Sequence, residues 1–100
     1  MNPENVPLVP VTVEVYGTLR LRTKRKYLYV EIPQVCDRHN LAFALSKVCP
    51  DLVGIAINNE GTDIKDTYVI NLNGLKFLDG NNFHVNSDDS IILLSNQAGG

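Results

Sequence analysis

A single helical stripe, flanked on both sides by segments that alternate with the period of a strand, limits this chain more than any other feature. Leu41, Ala44, Leu45 and Val48 recur at i, i+3, i+4 and i+7, which sets them on one side of an α-helix. Asn40, or Asp37 as the alternative, offers a side-chain acceptor to the free N–H groups of the first turn. Pro50 disfavours helical geometry at Cys49 and ends the segment. Phe43 falls off the centre of the stripe, on the helix flank. Before the helix, Val11, Val13 and Val15 alternate with Thr12, Glu14 and Tyr16, and Leu28, Val30 and Ile32 alternate with Tyr27, Tyr29 and Glu31. After it, Tyr68–Leu72, a short Lys76–Leu78 and Ile91–Leu94 read as strands.

The connections fill in the order. Pro3, Pro7 and Pro10 make residues 1–10 an extended arm outside the core, and a single domain is expected over 11–100. Gly17 interrupts the first strand as a bulge, and Leu19–Arg22 resumes the alternation. A basic turn at Thr23–Lys26 then joins the two strands as a hairpin. Residues 51–66 read as a loose connection with one apolar run, Leu52–Ile57. Asn73-Gly74 predicts a type I′ hairpin turn, because both central residues need positive φ. Residues 79–89 are turn-rich. One helix between two hairpin-like halves implies an α+β fold, a mixed sheet with the helix on one face and the first and last strands as its central pair. In the last strand Ile91 and Leu93 cannot share a face with Ile92 and Leu94. Ile92 and Leu94 are expected to point outward and to form a partner interface.

Charge excludes some functions. The net charge is −2, which argues against a general nucleic-acid binder, yet residues 1–50 hold seven Lys/Arg against four Asp/Glu while 51–100 hold two against seven. Most of the basic excess is Arg20, Arg22, Lys24, Arg25 and Lys26, a solvated hairpin end or a surface that steers an acidic partner. Cys36 and Cys49 lack metal or redox spacing and read as free thiols in a reducing cytoplasm, and no signal peptide or membrane span is recognisable. His39 and His84 have no ligand spacing, so no metal site is expected.

The segment Ser95-Asn96-Gln97-Ala98-Gly99-Gly100 runs directly off the apolar last strand. Two successive residues without Cβ can thread a slot closed to any other sequence. The reactive group such a tail delivers is the α-carboxylate of Gly100, with Gly99, Ala98 and Gln97 lining the threaded stretch. A Gly-Gly end also arises by chance, so its weight depends on the rest of the chain.

The strand order and tail look like the β-grasp, or ubiquitin-like, fold, and the chain resembles the small sulfur-carrier subunit of molybdopterin synthase. Tyr16-Gly17-Thr18-Leu19-Arg20 resembles that family's aromatic-Gly-Pro-Leu-Arg stretch. Val30-Glu31-Ile32-Pro33 looks like the end of its second strand, and Leu72-Asn73-Gly74 like its Val-Asn-Gly turn. Val85–Ile91 stands where it has Leu-x-x-Gly-Asp-x-Val, and Ala98-Gly99-Gly100 matches its terminus. Thr18 replaces a common Pro, Asp88 a usual Gly, and Ser95-Asn96-Gln97 a Pro-Pro-hydrophobic lead-in.

The resemblance implies a protein cosubstrate with no independent catalysis and no bound cofactor. A ubiquitin-activating-type adenylating enzyme would spend ATP on the Gly100 carboxylate. A persulfide donor would convert the adenylate to a thiocarboxylate, and the large molybdopterin synthase subunit would receive the sulfur for the pterin precursor. The alternatives are a ubiquitin-like modifier conjugated through Gly100, a sulfur carrier for thiamine or another pathway, and a plain interaction module.

Overall fold

The computed structural model describes residues 7–78 and 82–97. β1 (Leu8–Val15) and β7 (Ser90–Ser95) run in parallel at the middle of a five-stranded sheet, the central pair the sequence predicts. β2 (Tyr27–Pro33) flanks β1 on one side, and β4 (Tyr68–Leu72) followed by β5 (Lys76–Leu78) flanks β7 on the other. These three pairings are antiparallel. One face of the sheet is covered by α2 (Arg38–Val48), which packs chiefly on β2, and by the 3₁₀ turn Pro50–Leu52.

Strand alternation decides what is buried. Val11, Val13, Val15, Leu28, Val30, Ile32, Ile70, Ile91 and Leu93 all face the helix and are buried. They meet Leu41, Ala42 and Leu45 of α2. The buried helix stripe is therefore shifted from the expected one: Ala42 is fully buried, Ala44 is half-buried and Val48 is exposed. The helix packs chiefly on the edge strand β2, and the side it turns to the core is the one that carries Leu41, Ala42 and Leu45. Asp37, the alternative cap, is the true one. Its carboxylate accepts from the Asn40 N–H at 2.9 Å, while Asn40 Oδ1 accepts from the Asp37 N–H at 3.0 Å. Both expected residues thus belong to one reciprocal capping box. Asp37→Ala is expected to cost about 1 kcal/mol and lower Tm by roughly 4–8 °C, as read by a thermal melt followed by circular dichroism.

Four other expectations are corrected. Leu19–Arg22 is no strand but part of a short helix, α1 (Thr18–Thr23). Gly17 takes φ 59° and ψ −134°, a conformation open to glycine alone, and this swings the chain out of the sheet. Leu19 and Thr23, four residues apart, are then buried, while Leu21 is left 76% exposed. The Thr23 hydroxyl donates to the Leu19 carbonyl at 2.7 Å. A run this short fits either period, and only Leu19 found a core to enter. Second, Leu8, Val9 and Pro10 are not part of an outlying arm, since they pair with Pro33, Ile32 and Glu31. Pro10 is tolerated because β7 pairs with β1 only from Thr12 onward, so no neighbour needs the missing N–H. Third, residues 51–66 supply Leu52, Ala56, Ile57 and Ile64 to the core, held by bridges Val53–Ile57 and Ile57–Ile64. Fourth, the turn-rich stretch contains β6 (Phe83–His84), which pairs with β3 (Val35–Cys36) as a second, two-stranded sheet.

The hairpin turn meets its expectation, with φ of 59° at Asn73 and 74° at Gly74. Asn73 also ties that turn to the start of β7. Its backbone N–H donates to the Ser90 carbonyl at 2.7 Å, its Oδ1 accepts from the Ser90 N–H at 2.8 Å, and its amide donates to Asp89 at 3.0 Å. Those bonds, from the Asn73 side chain and then the Asn86 N–H, hold the Asp89 carboxyl below its ordinary pKa.

Candidate functional site

The open face of the sheet carries the site. Register sets Tyr27, Glu14, Ile92, Asn71 and Phe77 in one row across all five strands, on the side away from α2. Ile92 and Leu94 point outward, opposite to the fully buried Ile91 and Leu93. Each remains only half-buried, because the two line a shallow apolar groove of about 400 Å³. Tyr16, Gly17, Asn71, Gly74, Phe77 and Ser95 complete its walls. Completing the burial of a side chain such as Ile92 or Leu94 contributes about 1.5–3 kcal/mol at most.

One wall is fixed by charge. The Arg20 guanidinium lies 5.2 Å over the Tyr16 ring and 3.7 Å from the Glu14 carboxylate, and its Nε donates to the Val15 carbonyl at 3.2 Å. Tyr16 is raised above its ordinary pKa, chiefly by its hydrogen bond with Glu14, while Arg20 and Lys26 pull it the other way. The floor is different in kind. Asn71 is only 7% exposed, and its Oδ1 has no hydrogen-bond partner among the described residues. Such an orphaned acceptor costs on the order of 1–3 kcal/mol. Nothing in the sequence marked it, since a polar residue on the outward register of a strand is ordinary. Phe77 and Tyr16 were equally unmarked as a wall, because β5 and the Gly17 bend come together only in the fold.

Beyond Ser95 the chain leaves β7 tied to the loop before β4. The Asn96 N–H donates to the Thr67 carbonyl and its side-chain amide to the Asp66 carbonyl, both at 2.9 Å. Gln97 is exposed, its N–H donating to Ser95 Oγ at 3.1 Å. Of the expected site residues, the fold therefore brings Ile92 and Leu94 together and sets Gln97 at the exit of the strand. Ala98, Gly99 and Gly100 lie outside the described residues.

Other candidates are inert. Burial, reinforced by the neighbouring Asp37 charge, pushes the Cys36 thiol up to about 12, and burial likewise raises Cys49. A free thiol titrates near 8.5, so alkylation of Cys36 at pH 8 is expected to run roughly 10³-fold slower in the native protein than after unfolding. Iodoacetamide labelling with and without denaturant reads this directly. His39 and His84 are both exposed, and His39 Nδ1 sits 2.6 Å from the Thr62 carbonyl. Among the described residues no cluster of three His, Cys, Asp or Glu could hold a metal, and no helix is long and apolar enough to cross a membrane.

No family model and no curated protein matches the chain. Solved structures do. Small archaeal modifier protein 1 from Haloferax volcanii superposes with a TM-score of 0.73 at 15% identity, covering 91% of this chain and 99% of that one. The same protein from Methanosarcina acetivorans gives 0.72 at 19% identity, covering 94% and 99%. The fold is the β-grasp. The likeness spans this chain and its neighbours almost end to end.

Proposed function

We propose that this chain is a sulfur carrier that works through the carboxylate of Gly100. One observation carries the reading: the central strand of a β-grasp sheet lines an apolar groove with Ile92 and Leu94 and leads, through Asn96 and Gln97, to Ala98-Gly99-Gly100. The strand that carries the docking face is thus followed directly in sequence by the segment that carries the delivered group. The groove holds the adenylating enzyme while the glycines pass into its nucleotide site. There a carboxylate oxygen of Gly100 attacks the α-phosphorus of ATP, forming the acyl-adenylate and releasing pyrophosphate. A persulfide sulfur next attacks the acyl carbon, AMP leaves, and reductive cleavage of the S–S bond by a thiol frees the thiocarboxylate. The large subunit of a molybdopterin-type synthase is the proposed recipient. Beyond the Gly100 carboxylate itself, the groups that drive these steps belong to the partners.

A second reading has its own support. The structures it superposes on are named modifier proteins, and an adenylated glycine can equally pass to an amine, forming an amide and releasing AMP. Intact-mass spectrometry of the protein from its native cells separates the two. Exchange of one oxygen for sulfur, localised to Gly100 by fragmentation, is the expected result. A branched peptide joining Gly100 to a lysine supports the modifier instead, and an unmodified Gly100 under all growth conditions overturns both.

A further inference from the structure

The sheet ends at β2 on the side away from β5, and a single bond fixes which backbone groups of β2 point outward. The Val15 N–H donates to the Lys26 carbonyl at 2.9 Å, which makes Val15–Lys26 a hydrogen-bonded pair of the β1–β2 ladder. Bonded and non-bonded pairs alternate along an antiparallel ladder, so Val13–Leu28, Val11–Val30 and Val9–Ile32 are the bonded pairs that follow. Tyr27, Tyr29, Glu31 and Pro33 therefore turn their backbone groups away from β1, toward the open edge. The usable run is bounded at both ends. Pro33 has no N–H, and the Arg25 N–H is taken by Thr23 Oγ1 at 3.2 Å. Tyr27, Tyr29 and Glu31 remain, each with an outward N–H and C=O, and among the described residues no strand lies beyond them. A bare edge of this kind is a template for another strand.

We infer that this edge pairs with the same edge of a second copy, antiparallel about a two-fold axis at Tyr29, the midpoint of the free run. That register sets Tyr29 against Tyr29 and Tyr27 against Glu31, so every outward N–H meets a C=O. Sliding it by two residues in either direction brings Pro33 or Arg25 opposite and loses donors. The side chains fit the same register. Tyr27, Tyr29 and Glu31 are all exposed and share the open face. The Lys26 ammonium lies 5.3 Å over the Tyr27 ring. Glu31 of the second copy stands opposite Tyr27, so its carboxylate comes beside that ammonium, and the symmetry repeats the pair. Among the described residues neither Lys26 nor Glu31 has an ion pair within its own chain. A foreign strand of one charge would leave Lys26 or Glu31 unmatched, whereas a second copy matches both. On the helix side, α2 runs along β2 with Asn40 and Pro33 lining one groove and the Val48 carbonyl held by Arg25 at 3.3 Å. Phe43, 58% exposed, then stands beside the middle of β2, where the axis brings the Phe43 of the second copy. The groove beside β7 is two strands away, so the inference is independent of the function proposed above.

The test uses the full chain of 11.1 kDa. Sedimentation equilibrium from about 10 µM to about 1 mM is expected to show the mass rising toward double, since so short an edge gives a weak dimer. Amide hydrogen exchange followed by NMR over the same range should show protection growing at Tyr27, Tyr29 and Glu31 and unchanged at Leu28 and Val30. Glu31→Lys sets like charges together and should weaken the dimer about 10-fold or more, and adding Lys26→Glu should restore it. The mass of one chain at the highest concentration overturns the inference, even if the edge accepts a strand of another protein. A dimer that leaves those three amides unprotected also overturns it, because that dimer forms elsewhere. Full dimer affinity in Glu31→Lys, or no recovery on adding Lys26→Glu, overturns the register and the inference with it. The first two readouts need no variant, so a variant that fails to fold leaves the test intact.

Discussion

Gly99→Trp is expected to abolish adenylation of the chain while leaving its melting temperature in place. The argument joins two independent parts. Among the described residues the buried core is drawn from Val11 to Leu93, so a change at position 99 should alter folding by under about 0.5 kcal/mol. Activation as proposed instead needs a backbone slim enough to enter an enclosed nucleotide site, and an indole at position 99 cannot enter where a residue without Cβ does. The measurement is ATP–pyrophosphate exchange with the activating enzyme, run beside a thermal melt. A single-residue extension beyond Gly100 should give the same loss, because it moves the carboxylate rather than the bulk. Undiminished exchange by Gly99→Trp would remove the tail from the mechanism and leave the fold untouched.

The second large effect contrasts two neighbours on one strand. Leu93 is fully buried in the core, and Leu93→Ala should cost about 2–5 kcal/mol, a large part of the roughly 5–15 kcal/mol that holds a domain together. The Tm should fall by 10 °C or more, on the scale of about 4–8 °C per kcal/mol for a domain this size. Ile92→Thr with Leu94→Thr, one position away on either side, should behave oppositely. Threonine has the β-branched shape a strand prefers, and both positions face the groove rather than the core. Stability should change little while affinity for the activating enzyme falls by about 10-fold or more, the usual cost of truncating central apolar anchors. Urea denaturation and a binding isotherm on the same samples read both quantities. If the double variant unfolds as readily as Leu93→Ala, the outward face is structural.

These two cases also show how far residues in order predict residues in space. Alternation alone gave the inward set Val11, Val13, Val15, Leu28, Val30 and Ile32 and the outward pair Ile92 and Leu94, because a strand's side chains must change face at each step. The Asn73-Gly74 turn followed from φ, and the helix end at Val48 from Pro50, both local steric facts. The same reasoning misread Leu19–Arg22, since a four-residue run satisfies either period and the outcome depended on which leucine had a core to enter.

What the order of residues determined by itself was therefore the local: strand faces, turn, helix end, and the α+β arrangement those pieces allow. Tertiary structure alone decided the short α1, the small β3–β6 sheet and the groove. The physical reason is that a groove wall is shared. Tyr16 comes from the bend after β1, and Asn71, Phe77 and Leu94 from β4, β5 and β7, and the orphaned Asn71 oxygen acquires its cost only when neighbours far along the chain close over it and exclude water.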